Sequence, residues 1–349
     1  MSTHIKQLVG QLIIAGFRDS IISHNSKIEQ FIKAYNLAGV ILYDEDVTIG
    51  GVGTRNIKSP TQLKTLISNL QSYSPNQGLF ISVDQEGGFV HRLKSIYGFP
   101  ETPPWQHIGF LKDQLMTKEF SETLSEALQS AGINVNFAPV LDLDYGNKTV
   151  IGKTQRAFTS DPDVLIEHAK IFINAHRRKN IISCGKHFPG QGSAYGDTHE
   201  GYTDISDSWT VKDLLPFDKL IQSEHLDLIM VSHTFDTKLD SKYPASLSKK
   251  IVTEMLREDL GFEGVVICDD PSMRAISDNY SLIDTFEIML NAGIDLFCLG
   301  NNLIYDPDYI PKSVDAICEL LNSGRIKEDR ISTSIKRIKA LKKKYKICV

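Results

Sequence analysis

The 349-residue chain lacks most signatures that settle a function at a glance, and each absence removes a class. No stretch approaches the roughly 18 consecutive apolar residues of a membrane span. The first 17 residues carry no basic segment, and their apolar run is broken by Gly10 and Gln11, so neither a membrane partner nor a secretory leader is expected. The five cysteines, at 184, 268, 298, 318 and 348, form no Cys-x-x-Cys pair. Three lie inside apolar runs as small hydrophobes, which fits a reducing, cytoplasmic location. With 38 Lys and Arg against 43 Asp and Glu the net charge is −5, which argues against a nucleic-acid partner. The one basic cluster, residues 336–346, has helical apolar spacing through Ile338 and Leu341 and reads as a solvated helix face.

Motifs are missing too. The histidines are scattered singly, with neither His-x-His nor His-Glu-x-x-His, so no metal site is expected. There is no Gly-x-Ser-x-Gly elbow and no phosphate-cradling glycine loop followed by Lys-Ser/Thr. No Gly-x-Gly-x-x-Gly turn follows the first strand-like run, which weighs against a dinucleotide fold, and no cofactor is expected.

What the chain does have is repetition. Eight short apolar runs rich in β-branched residues recur at 11–17, 39–43, 78–84, 134–144, 181–187, 226–233, 264–269 and 294–300. Between them lie amphipathic stretches with helix-start signals: Ser59-Pro60 before 61–72, Asp161-Pro162 before 163–178, Leu247-Ser248 before 251–259, and a further stretch at 284–292. Alternating strands and helices predict a parallel sheet covered on both faces. Eight strands in about 300 residues favour a single-domain α/β fold over 1–349, a (β/α)8 barrel with its active site at the C-terminal ends of the strands. An open doubly wound sheet is the structural alternative.

The ends of the runs carry chemistry. The third ends at Asp84, the fourth in Pro139-Val140-Leu141-Asp142, the fifth at Lys186-His187, the sixth at Ser232-His233 and the seventh at Asp269-Asp270. One such group reads as a helix cap or an ion pair; five in succession read as a cup at the barrel mouth. Carboxylates, a lysine and arginines in a cup suit a polyhydroxylated ligand, whose hydroxyls both donate and accept. A carboxylate with a separate proton donor is the equipment of glycoside cleavage. After Lys186-His187-Phe188-Pro189-Gly190, the glycines 192, 196 and 201 bracket Asp197-Thr198-His199. That spacing predicts a mobile loop: without ligand, either His199 sits away from Asp269 or the loop shows raised mobility.

On these motifs, with Val83-Asp84-Gln85-Glu86-Gly87-Gly88, Arg156-Ala157-Phe158 and Asp269-Asp270-Pro271-Ser272-Met273, the chain resembles glycoside hydrolase family 3 over nearly its whole length. The resemblance is to the bacterial single-domain β-N-acetylglucosaminidases. It implies Asp269 as the nucleophile, with a helix cap as the alternative role, and His199 as proton donor with Asp197 as its partner. Asp84, Arg92, Arg156, Lys186 and His187 match sugar-binding positions, with Asp142 and His233 in support. The implied substrates are N-acetylglucosamine-containing cell-wall fragments, cleaved by a retaining, exo-acting, cytoplasmic enzyme expected to be a monomer. A phosphorylase or a β-glucosidase of the same family is the alternative within the enzyme class, and a non-catalytic sugar-binding protein the alternative outside it. Three positions depart from the family pattern: Phe89 in place of Arg, Gln191 in place of His, and Pro271 in place of Leu.

Overall fold

The structure, a computed structural model, describes residues 3–24, 26–74 and 78–347; Cys348 lies outside them. Eight parallel strands close into a barrel in chain order: β1 (Ile13–Gly16), β2 (Gly39–Ile41), β3 (Phe80–Val83), β4 (Val135–Asn136), β5 (Ile182–Phe188), β6 (Leu228–Val231), β7 (Val265–Cys268) and β8 (Leu296–Leu299). β8 pairs back onto β1 through Cys298 and Ile14, so the sheet has no free edge. Each strand falls inside one of the eight apolar runs, except that β5 extends one residue past its run, to Phe188. The fourth run differs most, because only two of its residues form the ladder before Pro139, which has no N–H to donate.

The period of two decides what fills the barrel. Ile14, Phe80, Val135, Ile182, Cys184, Leu228, Met230, Val265, Ile267, Leu296 and Cys298 pack inside, while their neighbours Ile13, Ile81, Ile229, Val266 and Phe297 pack outward beneath the helices. Helix caps lie where the sequence signals them. Ser59 accepts the Gln62 N–H at the start of Pro60–Ser72, and Asp161 accepts from Asp163 and Val164 at the start of Pro162–Arg178. Ser248 accepts the Ile251 N–H at the head of Lys250–Asp259.

The last helix, Glu328–Lys344, closes the bottom of the barrel with Ile338 and Leu341, followed by Tyr345. Its polar side is less solvated than the sequence implied. Lys342 is buried and donates to the Gly78 carbonyl at 2.7 Å, while Arg337 joins Arg257 and Arg330 around the fully buried Asp295. The N-terminal ends of the strands are thus a locked floor. The C-terminal ends are left open for chemistry.

Candidate active site

Continuing the inward period past the strand ends places three ionisable side chains over the barrel: Asp84 after Phe80 and Ser82, Lys186 after Ile182 and Cys184, and Asp269 after Val265 and Ile267. Lys186, 2% exposed, donates to Asp84 at 2.8 Å and lies 2.6 Å from Glu86. Glu86 accepts a two-pronged pair from Arg156 at 2.8 and 2.9 Å. Burial opposes its charge, but Arg156 and Lys186 outweigh that and bring its carboxyl down to about 2. For Lys186, burial likewise works against the ammonium, and Asp84 and Glu86 overcome it and raise its pKa.

Arg156 also donates to His187 Nε2 at 3.2 Å, and the far side of that ring meets Asp142 across 2.6 Å. Since a guanidinium only donates, the hydrogen-bond network assigns the imidazole hydrogen to Nδ1. Asp142 further accepts the backbone N–H groups of His187 and Gln191. Arg92 reaches the same space from the loop after β3; its backbone N–H is held by Gln85 Oε1 at 2.8 Å and its guanidinium lies 5.7 Å from the Tyr43 ring.

The adjacent carboxylates of Asp269 and Asp270 have opposite environments. Burial disfavours the charge on Asp269, but the imidazoles of His233, His187 and His199 and the Asp270 N–H outweigh it and hold the carboxyl below its usual range. For Asp270 burial prevails and pushes the pKa up to about 6, although Ser272 N–H and Gly300 N–H donate to it at 2.9 and 3.0 Å. Both carboxylates line the cavity, but Asp270 is spent tying the end of β7 to the end of β8 through Gly300. His233 stands behind them, bonded to Ser246 and to the Asp270 carbonyl rather than lining the cavity.

Of the two expectations for the loop after β5, a displaced His199 or a mobile loop, the first is not what the structure shows. His199 lines the same cavity as Asp269. Its neighbour Thr198 is buried, and the Thr198 carbonyl accepts the Ala275 N–H at 3.2 Å. Gly192 serves packing rather than hinging, since a side chain there would meet the Leu143 carbonyl 2.1 Å from its Cβ. His199 Nδ1 lies 2.7 Å from Asp197 Oδ1. Desolvation works against the imidazolium, but that hydrogen bond and the charges of Asp269 and Asp197 raise its pKa. Asp197 is lowered in turn, first by its bond to His199.

Of the ten residues singled out from the sequence, Asp84, Arg92, Arg156, Lys186, His187, Asp197, His199 and Asp269 line one cavity of about 300 Å³, whereas Asp142 and His233 stand behind it. Such a volume lies at the small end for ligand pockets. Sequence reasoning passed over Glu86, which links Lys186 to Arg156, and Tyr43, where β2 enters the cup; Glu86 was visible only as part of its glycine-flanked motif. Phe89 is exposed, and its neighbour Val90 takes the place on the cavity wall. Among the described residues no three His, Cys, Asp or Glu side chains converge as a metal site requires.

Comparison with known proteins gives consistent results. Residues 4–341 match the glycosyl hydrolase family 3 N-terminal domain. The β-hexosaminidase of Nitrosomonas eutropha is 34% identical over 294 residues, spanning 78% of this chain and 80% of that protein. The β-hexosaminidase of Tolumonas auensis is 35% identical over 262 residues, 73% and 76% of the two. Among solved structures, a glycoside hydrolase family 3 β-N-acetylglucosaminidase from Paenibacillus sp. str. FPU-7 superposes with a TM-score of 0.88 at 29% identity, covering 98% of this chain and 62% of that one. The β-N-acetylhexosaminidase of Beutenbergia cavernae gives 0.85 at 25% identity, covering 98% and 99%.

Proposed function

We propose, from the premise that this chain belongs to glycosyl hydrolase family 3 and is a β-N-acetylhexosaminidase, that it releases terminal N-acetylglucosamine with retention of configuration. The observation that carries this reading is the opposite bias of two groups on one cavity: the Asp269 carboxyl is shifted down, toward its charged form at lower pH, and the His199 imidazole is shifted up by its bond to Asp197. An Asp269 oxygen attacks the anomeric carbon, the glycosidic C–O bond breaks, and the departing oxygen takes the proton from His199. Because Nδ1 is engaged by Asp197, Nε2 is the nitrogen that gives it. Water then attacks the same carbon, returns a proton to His199 and frees Asp269. Asp84, Lys186, Arg156, His187 and Arg92 hold the sugar, and Asp142 fixes His187.

The finer reading rests on the sequence resemblance. In it the enzyme is exo-acting, takes cell-wall fragments with N-acetylglucosamine linked to 1,6-anhydro-N-acetylmuramic acid, and works in the cytoplasm as a monomer with 1–349 as one catalytic domain. No helix among the described residues is long and apolar enough to cross a membrane. The test is hydrolysis of an aryl β-N-acetylglucosaminide beside the matching β-glucoside, with and without phosphate. Selective cleavage of the first, unchanged by phosphate, is expected. Preference for the glucoside, or a glycosyl phosphate product, would replace this reading with one of the two alternatives.

A further inference from the structure

Two buried side-chain atoms on the cavity wall have no hydrogen-bond partner among the described residues, Arg92 Nε and Gln191 Oε1. Arg92 already belongs to the sugar-binding set that the family resemblance implies. Gln191 does not, and it stands where the family pattern has His. The ionic groups that share the wall are committed within the protein: Asp84 to Lys186, Glu86 to Arg156 and Lys186, His187 to Asp142 and Arg156, and Asp197 to His199. A carboxamide oxygen shut away from water with nothing donating to it is costly, and such groups are rare in native proteins.

The main chain holds that side chain in one place. The Gln191 N–H donates to Asp142 Oδ1 at 2.6 Å, and its carbonyl accepts the Ala194 N–H at 3.0 Å. Gly190, just before it, has a φ of 121°, and a side chain there would meet the Asp213 Cβ 2.7 Å from its own, so the turn into Gln191 is closed to other residues. Gly192, just after it, is packed against Leu143. Pinned from both sides, Gln191 is 5% exposed and turned onto the cavity. Asp142 Oδ1 takes the backbone N–H of His187 as well, so the amide and the imidazole are held to the same carboxylate.

We infer that Gln191 is a substrate-contacting, specificity-determining residue, whose carboxamide oxygen accepts a hydrogen bond from one hydroxyl of the sugar. The inference rests on the cleavage reading above, which puts a polyhydroxylated ring in this cavity. The two ends of an amide are told apart only by the hydrogen bonds they make. Turned over, the group would donate to the same hydroxyl oxygen, and a hydroxyl answers both. Unlike the histidine of the family pattern, a neutral amide keeps the same donor and acceptor at every working pH.

The test compares the wild type with Gln191→Met on an aryl β-N-acetylglucosaminide and on its 3-, 4- and 6-deoxy analogues. Methionine fills a similar space without the amide. kcat/KM on the parent glycoside is expected to fall about tenfold, as loss of one buried hydrogen bond dictates. On one of the three analogues the substitution should cost nothing, because the hydroxyl that it served is gone. The urea midpoint of the free variant should hold or rise, since the unpaired acceptor leaves with the amide. Gln191→Asn keeps the amide but draws it back by one methylene; it should give the same one-analogue pattern, and it decides if the methionine variant does not fold. An unchanged kcat/KM, or an equal loss on all four substrates, would overturn the inference and leave the cleavage reading standing. A wild-type enzyme that cleaves none of the four would overturn the cleavage reading and this inference with it.

Discussion

Asp142 and His187 face each other across 2.6 Å, carboxylate oxygen to Nδ1, with both side chains buried. That pairing turns Nε2 toward Arg156 as an acceptor. The carboxylate is needed in full, because its other oxygen takes the backbone N–H groups of His187 and Gln191. In Asp142→Asn, an amide nitrogen would face a ring N–H, or else two backbone donors. We expect a loss of about 1–3 kcal/mol in stability and a raised KM for the sugar. Urea unfolding beside steady-state kinetics checks this, and an unchanged KM would mean that His187 does not touch the substrate.

Asp269→Asn or Asp269→Ala should lower kcat by on the order of 10^3 or more, about 4 kcal/mol of transition-state stabilisation, while product binding survives. A mechanism-based fluorinated sugar should label Asp269. Label on Asp270, whose two oxygens are engaged by Ser272 and Gly300, would move the assignment.

The working state has Asp269 ionised and His199 protonated, so kcat/KM should rise as pH climbs through the depressed Asp269 value and fall as it climbs through the raised His199 value. The alkaline limb therefore lies above the ordinary imidazole value of 6.5. Asp197→Asn weakens the hydrogen bond that raises His199 and should move that limb down. His199→Ala should slow glycosides with poor leaving groups roughly 100-fold more than those with good ones, because only the former need the proton. Equal slowing would assign His199 to sugar orientation.

Folding stability should also depend on pH through His176, which is fully buried between Asn136 and the Phe172 carbonyl. Burial brings its pKa down to about 4 from 6.5. Between those values the unfolded chain binds the proton that the folded chain excludes, so stability is lost as pH falls through the window, by on the order of 3 kcal/mol. His176→Gln removes this titration and should flatten the urea midpoint between pH 6.5 and 4. A slope unchanged by the substitution would place the titrating group elsewhere.

The sequence by itself determined the alternation of strands and helices and the inward residues at the strand ends, and it favoured a barrel over an open sheet. Apolar runs of strand length alternated with capped amphipathic stretches, and a period of two, carried past Cys184 and Ile267, puts Lys186 and Asp269 over the cavity with no further information. These are local properties of the backbone, which a linear chain records. Tertiary structure decided the rest. Glu86 pairs with Arg156 across 70 residues and with Lys186 across 100, Asp142 with His187 across 45, and Arg55 with Asn302 across 247. Asp269 and Asp270, identical and adjacent in sequence, are separated only by what closure of the barrel brings beside each: imidazoles around the first, backbone N–H groups and a dry wall around the second. A charge is set by neighbours in space, and those neighbours exist only once the eighth strand meets the first.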